Sequence, residues 1–195
     1  MVTRYEYYNT GDDDYWELDG VYWQAQTFTV GTVGHKISSV KLKLYRVGSP
    51  GTVTVSIKAT TSGHPSGDDL TVGTIDGNTL TTDPAGAWYE ITVTEYTSSK
   101  NTKYAVVVRA LTGDASNTVE WRADSSSPTY TDGNVEYSGN SGGTWTSNTD
   151  SDFMFEVWGP DLVVHTKTVS EILGLVDDWD KNRCKKCKPS ITVVF

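Results

Sequence analysis

Short apolar–polar alternations separated by turn residues run through residues 21–160, and this pattern most constrains the fold. In residues 36–47 and 52–59, apolar side chains fall at nearly every second position, as in a strand with one buried face. Turn-forming clusters, such as Gly-Ser-Pro-Gly at 48–51, separate these runs. Nine or ten short strands without a helical pattern among them predict an all-β, antiparallel sandwich, for which we expect a jelly-roll topology.

The alternation gives approximate element bounds and three regions of the chain. Strands are predicted at residues 21–30, 36–47, 52–59, 70–75, 88–94, 103–111, 118–123, 134–138, 143–147 and 152–158. The polar stretch 62–69 is predicted to be a loop. We expect an N-terminal arm over residues 1–20, the β-sandwich domain over 21–160, and a C-terminal docking extension over 161–195.

The C-terminal extension follows a different pattern, which predicts one amphipathic helix and one terminal strand. Thr168 and Glu171 fit a capping box, so a helix is expected over about 168–181. A helix of this length is marginal alone in water, so its apolar face needs a surface to pack on. Residues 190–195 are β-prone and predict a strand that joins a sheet edge. The predicted docking residues are Val169, Ile172, Leu173, Val176, Trp179, Ile191, Val193 and Phe195.

Cys184 and Cys187 are the two cysteines of the chain, and they stand in a Cys-Lys-Lys-Cys segment flanked by further basic residues. A zinc site needs four ligands, and His165 is the nearest addition to this pair. A redox motif is expected in a βαβ setting, which the sequence lacks. A structural disulfide, within the pair or to a neighbouring subunit, is therefore the favoured interpretation. The basic flanks predict contact with an acidic protein surface, against the alternative of a solvated tail.

Charge and hydropathy exclude some classes of partner. Residues 1–160 contain 20 acidic and 10 basic side chains, whereas residues 161–195 contain 5 acidic and 6 basic ones. An acidic body disfavours nucleic acid as a partner, because phosphate contacts need concentrated Lys and Arg. The N-terminal residues lack the apolar core of a secretory signal, and no run has the length of a transmembrane helix. Neither nucleic-acid binding nor membrane insertion is expected.

Catalysis is not expected from this sequence. The three histidines, His35, His64 and His165, stand in turn-like or linker positions, and no Gly-x-Ser-x-Gly elbow is present. Glutamates on different strands can converge across a cleft in glycoside hydrolases, but outward-facing, solvated positions explain them more simply. The prediction is a protein that is not an enzyme.

Two kinds of binding site remain as candidates, each with a plain structural alternative. Glycan binding uses exposed aromatic side chains, and the candidates in or beside loops are Trp16, Tyr22, Trp121, Tyr130, Tyr137 and Trp145. The alternative is that these rings pack in the core. Calcium binding uses several carboxylate and carbonyl oxygens, and the candidates are Asp12, Asp13, Asp14, Asp150 and Asp152. The alternative is solubilising loop charge. No other cofactor is expected.

Several stretches of the body resemble a known kind of module. These stretches are residues 23–29, 36–57, 85–91, 104–110 and 153–159. They resemble the jelly-roll, carbohydrate-binding-module-like β-sandwiches of the choice-of-anchor type, which occur in bacterial surface proteins and in tailed-phage structural proteins. The resemblance covers residues 21–160 and implies a non-catalytic binding or structural module, without a single ligand. Residues 161–195 resemble nothing recognised.

Two functions are consistent with these features. The favoured expectation is a bacteriophage virion structural or accessory protein, such as a capsid decoration or head-fibre subunit. Its extension would dock on other virion proteins or on copies of itself, with the sandwich exposed on the virion surface. The alternative is a carbohydrate-binding or adhesin module of a secreted or cell-surface protein, which binds cell-surface glycans with or without Ca²⁺.

Overall fold

The computed structural model describes residues 1–162 of the 195-residue chain. These residues form thirteen β-strands, and a short 3-10 helix (Gly77–Thr79) lies between the sixth and the seventh. The strands are β1 (Val2–Tyr8), β2 (Asp14–Leu18), β3 (Trp23–Thr29), β4 (Lys36–Val47), β5 (Thr52–Thr61), β6 (His64–Asp76), β7 (Ala87–Thr97), β8 (Lys103–Arg109), β9 (Thr118–Asp124), β10 (Val135–Ser138), β11 (Thr146–Asn148), β12 (Asp152–Phe153) and β13 (Phe155–Pro160). The helix predicted over 168–181 and the strand predicted over 190–195 lie outside the described residues.

The strands form two antiparallel sheets, so the all-β expectation is confirmed for residues 1–162. One sheet has the order β11-β10-β3-β8-β5-β6. The other has the order β1-β13-β4-β9-β12, with β2 paired to β9 and β7 paired to β4. From β3 to β9 the chain crosses between the sheets at every step except the β5–β6 hairpin, so strands that are neighbours in sequence mostly lie in different layers.

One hydrophobic core combines side chains of both sheets, as a sandwich-like packing requires. Leu42 and Leu44 of β4 and Val55 and Ile57 of β5 are fully buried members of this core. The intervening Lys41 and Lys43 remain partly exposed and form ion pairs. The alternation seen in the sequence of β4 and β5 therefore corresponds to one core-facing and one outward face in these two strands.

Residues 1–20, which were expected to form an arm, are part of the seven-stranded sheet. β1 pairs with β13, and β2 pairs with β9, both antiparallel. Tyr8 and Leu18 belong to the core. Strand pairing satisfies the backbone groups that face β13 and β9, and the burial of these side chains stabilises the segment on the sheet. The acidic turn between the two strands obscured their alternation in the sequence.

The predicted loop over 62–69 is instead mostly strand. Ser62 and Gly63 both have positive φ, +54° and +91°, as a tight two-residue hairpin turn requires. β6 therefore begins at His64 and pairs with β5 along its length. The register of the β5–β6 pairing shifts on both sides of Lys58. These bulges allow the polar stretch of β6, which has no apolar–polar alternation, to pair with β5.

Among the described residues, no helix has the length and hydropathy needed to cross a membrane.

Candidate functional site

The six-stranded sheet carries a second, smaller apolar cluster on the face opposite the core. Ala25 of β3 and Ala105 and Val107 of β8 are fully buried and form this cluster. They alternate along the strands with core residues such as Val106 and Val108, so they belong to the outer face. These small side chains form the floor on which two tryptophans pack, and we call the cavity lined by those tryptophans and the β5–β6 hairpin the outer-face groove.

Two tryptophans pack against this floor. Trp23, at the start of β3, and Trp145, just before β11, are both partly buried against the alanine–valine cluster. Gly142 lies between them: a Cβ there would be 2.9 Å from Trp23 Cζ3 and 3.5 Å from Trp145 Cζ2. Its φ of +79° also favours glycine. The chain at Gly142 thus passes close to both indoles.

The loop that carries Gly142 is held by its own polar groups. The Ser138 hydroxyl accepts from the Gly142 amide at 2.9 Å, and Asn140 Oδ1 accepts from the Thr144 amide at 2.8 Å. The Asn140 side chain also donates to the Thr144 hydroxyl at 3.1 Å. These bonds fix the loop without a ligand, so the wall formed by Trp145 is preorganised.

A charged network lies beside the tryptophans. Arg109 donates to both carboxylate oxygens of Asp69, and Lys58 Nζ lies 3.2 Å from Asp69 Oδ1. Burial opposes ionisation of Asp69, but the hydrogen bonds from Arg109 and Ser56 and the nearby positive charges outweigh it, so the pKa of Asp69 is lowered. The Arg109 guanidinium is also 5.0 Å from the ring centroid of Trp23, a cation–π arrangement.

The resulting groove has a volume of about 500 Å³. The formal charges of its lining residues sum to zero, because the two basic side chains, Lys58 and Arg109, are matched by two carboxylates, Asp68 and Asp69. The remaining lining residues come from the β5–β6 hairpin, from the start of β3 and from two loops: Pro65, Ser66, Gly67, Trp23, Leu111, Ser141, Gly142 and Trp145. The groove is therefore mixed in character, with two tryptophans and an electroneutral set of charged donors and acceptors.

The β5–β6 hairpin lies over one end of this face. His64 Nδ1 of β6 is 2.7 Å from a carboxylate oxygen of Glu136 on β10, although β5, β8 and β3 stand between these strands. In a flat sheet, the two strands would be about 19 Å apart. The contact requires the hairpin to fold over the outer face. Glu136 is 1% exposed and also accepts from the Ser147 hydroxyl, so the carboxylate end of the contact is buried, whereas the His64 side chain is 41% exposed.

The structure separates the six aromatic residues that were predicted for glycan binding. Trp145 is the one that lines the groove. Trp16 packs partly buried against the core, its ring 5.6 Å from that of Tyr137, in a different cleft. Tyr130 packs against the core, and Tyr22 is 56% exposed, beside Gly139.

Trp121 corrects the sequence interpretation. Its side chain is fully buried in the core, stacked on Phe153 with the ring centroids 4.2 Å apart. Its indole N–H donates to the Met154 carbonyl at 2.9 Å. Trp121 lies on the inward face of β9 and cannot contact a ligand at the surface.

Sequence reasoning did not select Trp23, Lys58, Asp69 or Arg109 as site residues. Trp23 is the first residue of β3, and Arg109 is the last residue of β8. In both strands the other outward-facing positions include small or branched residues, and this pattern was the sequence signal that could have pointed to the site. Asp69 was assigned to a loop, which concealed its position opposite Lys58 on the paired strand. The network depends on this bulged register, and the alternation alone does not reveal it.

The five aspartates predicted for calcium have separate roles. Asp12 forms ion pairs with Lys43 and Arg122, and Asp13 accepts from the Ser125 amide. Asp152 is buried and accepts from the Tyr130 amide at 2.8 Å. The remaining two, Asp14 and Asp150, line an open cleft. Within residues 1–162, no group of three or more His, Cys, Asp or Glu side chains is arranged to hold a metal ion.

The predicted docking residues and the predicted disulfide lie outside the described residues. The docking set is Val169, Ile172, Leu173, Val176, Trp179, Ile191, Val193 and Phe195, and the disulfide pair is Cys184 and Cys187.

Neither a protein-family model nor a curated protein sequence matches the chain.

Proposed function

We propose that the sandwich domain is a non-catalytic glycan-binding module of jelly-roll type and that the outer-face groove is its binding site. The observation that carries this proposal is the position of Trp23 and Trp145 on a floor of small side chains, next to the Asp69–Arg109–Lys58 network. Sugar rings present both apolar C–H faces and a rim of hydroxyls. A site with aromatic walls and fixed donors and acceptors is suited to both.

The charge balance of the groove favours a neutral glycan. Lys58 and Arg109 have N–H groups for sugar oxygens, and the carboxylates of Asp68 and Asp69 accept from sugar hydroxyls. Within the described residues, Asp68 has no ion-pair partner, so its carboxylate is available to a ligand hydroxyl. A strongly charged ligand would leave one member of this set uncompensated.

The non-catalytic part of the proposal is supported by the positions of the strand glutamates. Glu90 pairs with Lys41, Glu156 with Arg4, and Glu136 with His64, at separate places on the two sheets. Two carboxyl groups facing one cleft are the usual arrangement for glycoside hydrolysis. Each of these three carboxylates is instead engaged by its own basic partner. Glu120 of β9 is buried and accepts from the Thr118 hydroxyl at 2.6 Å.

A glycan array probed with the full chain, followed by calorimetry on the best ligand, tests the proposal. We expect Trp145→Ala to weaken binding at least about fivefold, because removing an aromatic anchor at a hot spot costs more than about 1 kcal/mol. Trp88→Ala is the matched control: Trp88 is 39% exposed on β7 of the other sheet and should leave the affinity unchanged. An equal loss of glycan affinity in Trp145→Ala and Trp88→Ala would contradict the assignment of the groove as the binding site. The absence of any glycan ligand on the array would contradict it as well.

Virion assembly is a second proposed function, and the sequence of the C-terminal extension favours it. Five apolar residues at helical spacing, Val169 to Trp179, predict a face that needs a docking surface. In this proposal the extension attaches the chain to a phage particle and the groove faces outward. Deleting residues 163–195 should abolish incorporation into particles while glycan binding persists. Normal incorporation of the shortened chain would contradict the proposal.

A further inference from the structure

A second cleft lies at the free edge of β2, away from the outer-face groove. It has a volume of about 540 Å³, and the two sites share no residue. Its lining comes from β2, from the start of β3 and from the segments that flank β9 and β12: Asp14, Tyr15, Trp16, Glu17, Gln24, Ser125, Asp150 and Ser151. We call it the β2-edge cleft.

The β2-edge cleft is acidic, in contrast to the balanced groove. It is lined by the carboxylates of Asp14, Glu17 and Asp150 and by no basic side chain. The ion pairs formed among residues 1–162 include none of these three carboxylates. The negative potential extends to the neighbouring Glu120: burial raises the pKa of this carboxyl, and the charges of Glu17 and Asp19 raise it further.

Gln24 supplies an unpartnered polar group in the lining of this cleft. The residue is 7% exposed, and its Nε2 donates to the Glu17 carbonyl oxygen at 2.8 Å. A carbonyl oxygen only accepts, so the amide orientation is fixed and Oε1 is left as an acceptor. Among the described residues Oε1 has no hydrogen-bond donor. A buried acceptor without a donor is unfavourable, and a donor supplied by a ligand would relieve this.

An aromatic surface completes the cleft. Trp16 packs edge-on against Phe153 of the core, with the ring centroids 6.0 Å apart, so its ring is held in place. Tyr15, the preceding residue of β2, is 48% exposed and is on the opposite face of the strand. A ligand for this set needs N–H donors, a positive charge and a planar face. A guanidinium group has all three, and it is less strongly hydrated than an ammonium group.

We propose that the β2-edge cleft binds an arginine side chain presented by a partner protein. The guanidinium lies against Trp16, donates to the carboxylates of Glu17 and Asp14, and reaches Gln24 Oε1 at the back. This proposal is independent of glycan binding, because it concerns a different site with the opposite charge character.

The test uses the full chain labelled with ¹⁵N and two matched probes, N-acetyl-arginine amide and N-acetyl-citrulline amide. Citrulline has nearly the same shape as arginine but no positive charge. We expect the arginine probe to shift the Trp16 indole N–H signal, assigned with Trp16→Phe, with saturable binding on the order of millimolar, and to bind at least about fivefold more tightly than citrulline. Raising the salt concentration should weaken arginine binding.

Two variants connect the binding to the cleft. Glu17→Gln removes one exposed charge and should weaken arginine binding by about 3–10-fold. Gln24→Met removes the buried acceptor at similar volume and should weaken it by a similar factor, with the fold checked by thermal unfolding. Asp68→Asn makes the same type of charge change in the outer-face groove and should have no effect.

Three results would overturn the proposal. They are equal binding of arginine and citrulline, shifts that never saturate, and an equal loss in the Asp68→Asn control. A further arm uses D-glucosamine, which carries a positive charge on a sugar ring. Tighter binding of D-glucosamine than of the arginine probe would identify a cationic glycan as the ligand, and the protein partner would be rejected.

Discussion

At the scale of single residues, the carboxyl of Asp152 has an unfavourable environment for charge. It is 4% exposed, and its backbone pairs with that of Asp124, another buried acid. Burial raises the pKa of Asp152 to about 6, and the Asp124 charge adds to this effect, although the bond from the Tyr130 amide opposes it. Asp124 is better satisfied, because it accepts from the Tyr8 hydroxyl and from two loop amides.

The first prediction concerns this acid. The folded protein holds the Asp152 proton more tightly than the unfolded chain does, so this group contributes stability near pH 4 that is lost as the pH rises to about 6. Asp152→Asn keeps an acceptor for the Tyr130 amide and removes the charge. We expect the free energy of unfolding to increase by about 1–3 kcal/mol at pH 7 and to change little at pH 4.

Urea unfolding at the two pH values measures this difference. Asp150→Asn is the control, because Asp150 is exposed and should give little change at either pH. A destabilised Asp152→Asn protein at pH 7 would show that the charge is favourable there. In that case a cation bound near Asp152 becomes the better explanation, and Ca²⁺ addition should then raise the stability of the wild type.

At the scale of elements, β1 is held by a buried histidine on the approach to β4. The ring of Tyr5 stacks on that of His35 with centroids 3.7 Å apart. His35 Nδ1 lies 3.0 Å from the Lys36 carbonyl, and Nε2 lies 2.9 and 3.0 Å from the two carboxylate oxygens of Glu6. Both ring nitrogens face acceptors, so both donate and the ring is an imidazolium.

The second prediction follows from this contact. Burial lowers the pKa of His35, but the hydrogen bonds to Glu6 and Lys36 outweigh it, so the pKa is raised above 6.5. The resulting stability is fully present below pH 6.5 and is lost as the pH rises through the raised pKa. His35→Gln should lower the free energy of unfolding by about 1–3 kcal/mol at pH 6 and by less at pH 9.

Hydrogen exchange of the β1 amides, measured at both pH values, localises the effect. After correction for the intrinsic pH dependence of exchange, we expect the β1 amides of the wild type to exchange faster at pH 9 than at pH 6. In the His35→Gln variant they should exchange fast at both pH values. Glu95→Gln breaks the exposed Lys36–Glu95 pair and should cost less than about 1 kcal/mol. A similar loss in both variants would contradict a special role for His35.

At the scale of the whole molecule, the compact unit that contains the sandwich extends from Met1 to Asp161. Its last residues contact its first strand. Pro160 pairs with Val2, and the Tyr5 hydroxyl donates to the Asp161 carboxylate at 2.7 Å. The end of the domain is therefore defined by contacts that involve residues 160 and 161.

The third prediction compares two truncations. A chain ending at Leu162 should unfold cooperatively, because all the core and strand pairing described above is retained. A chain ending at Gly159 loses the contacts of Pro160 and Asp161 and should be less stable by about 1–2 kcal/mol. Thermal unfolding followed by near-ultraviolet circular dichroism measures both. Equal stability of the two chains would show that β1 is held without these contacts.

The sequence by itself determined the class of fold, because alternation is a local property. β4 has the bounds that its pattern predicts, and β5, β8 and β9 differ by one or two residues at an end. β1 and β2 were missed, because their stability comes from pairing with β13 and β9, which are distant in the chain. Such long-range pairing has no local signal.

Only the tertiary structure decided which side chains share a site. Trp121 and Trp145 are both tryptophans near strand ends, yet one is in the core and the other lines the groove. Asp69, Arg109 and Trp23 come from three strands and meet because of strand order and a bulge at Lys58. The sequence specifies the apolar–polar alternation within each strand. The register between strands and the connections between the two sheets determine which side chains of different strands come together. These depend on the packing of the whole core.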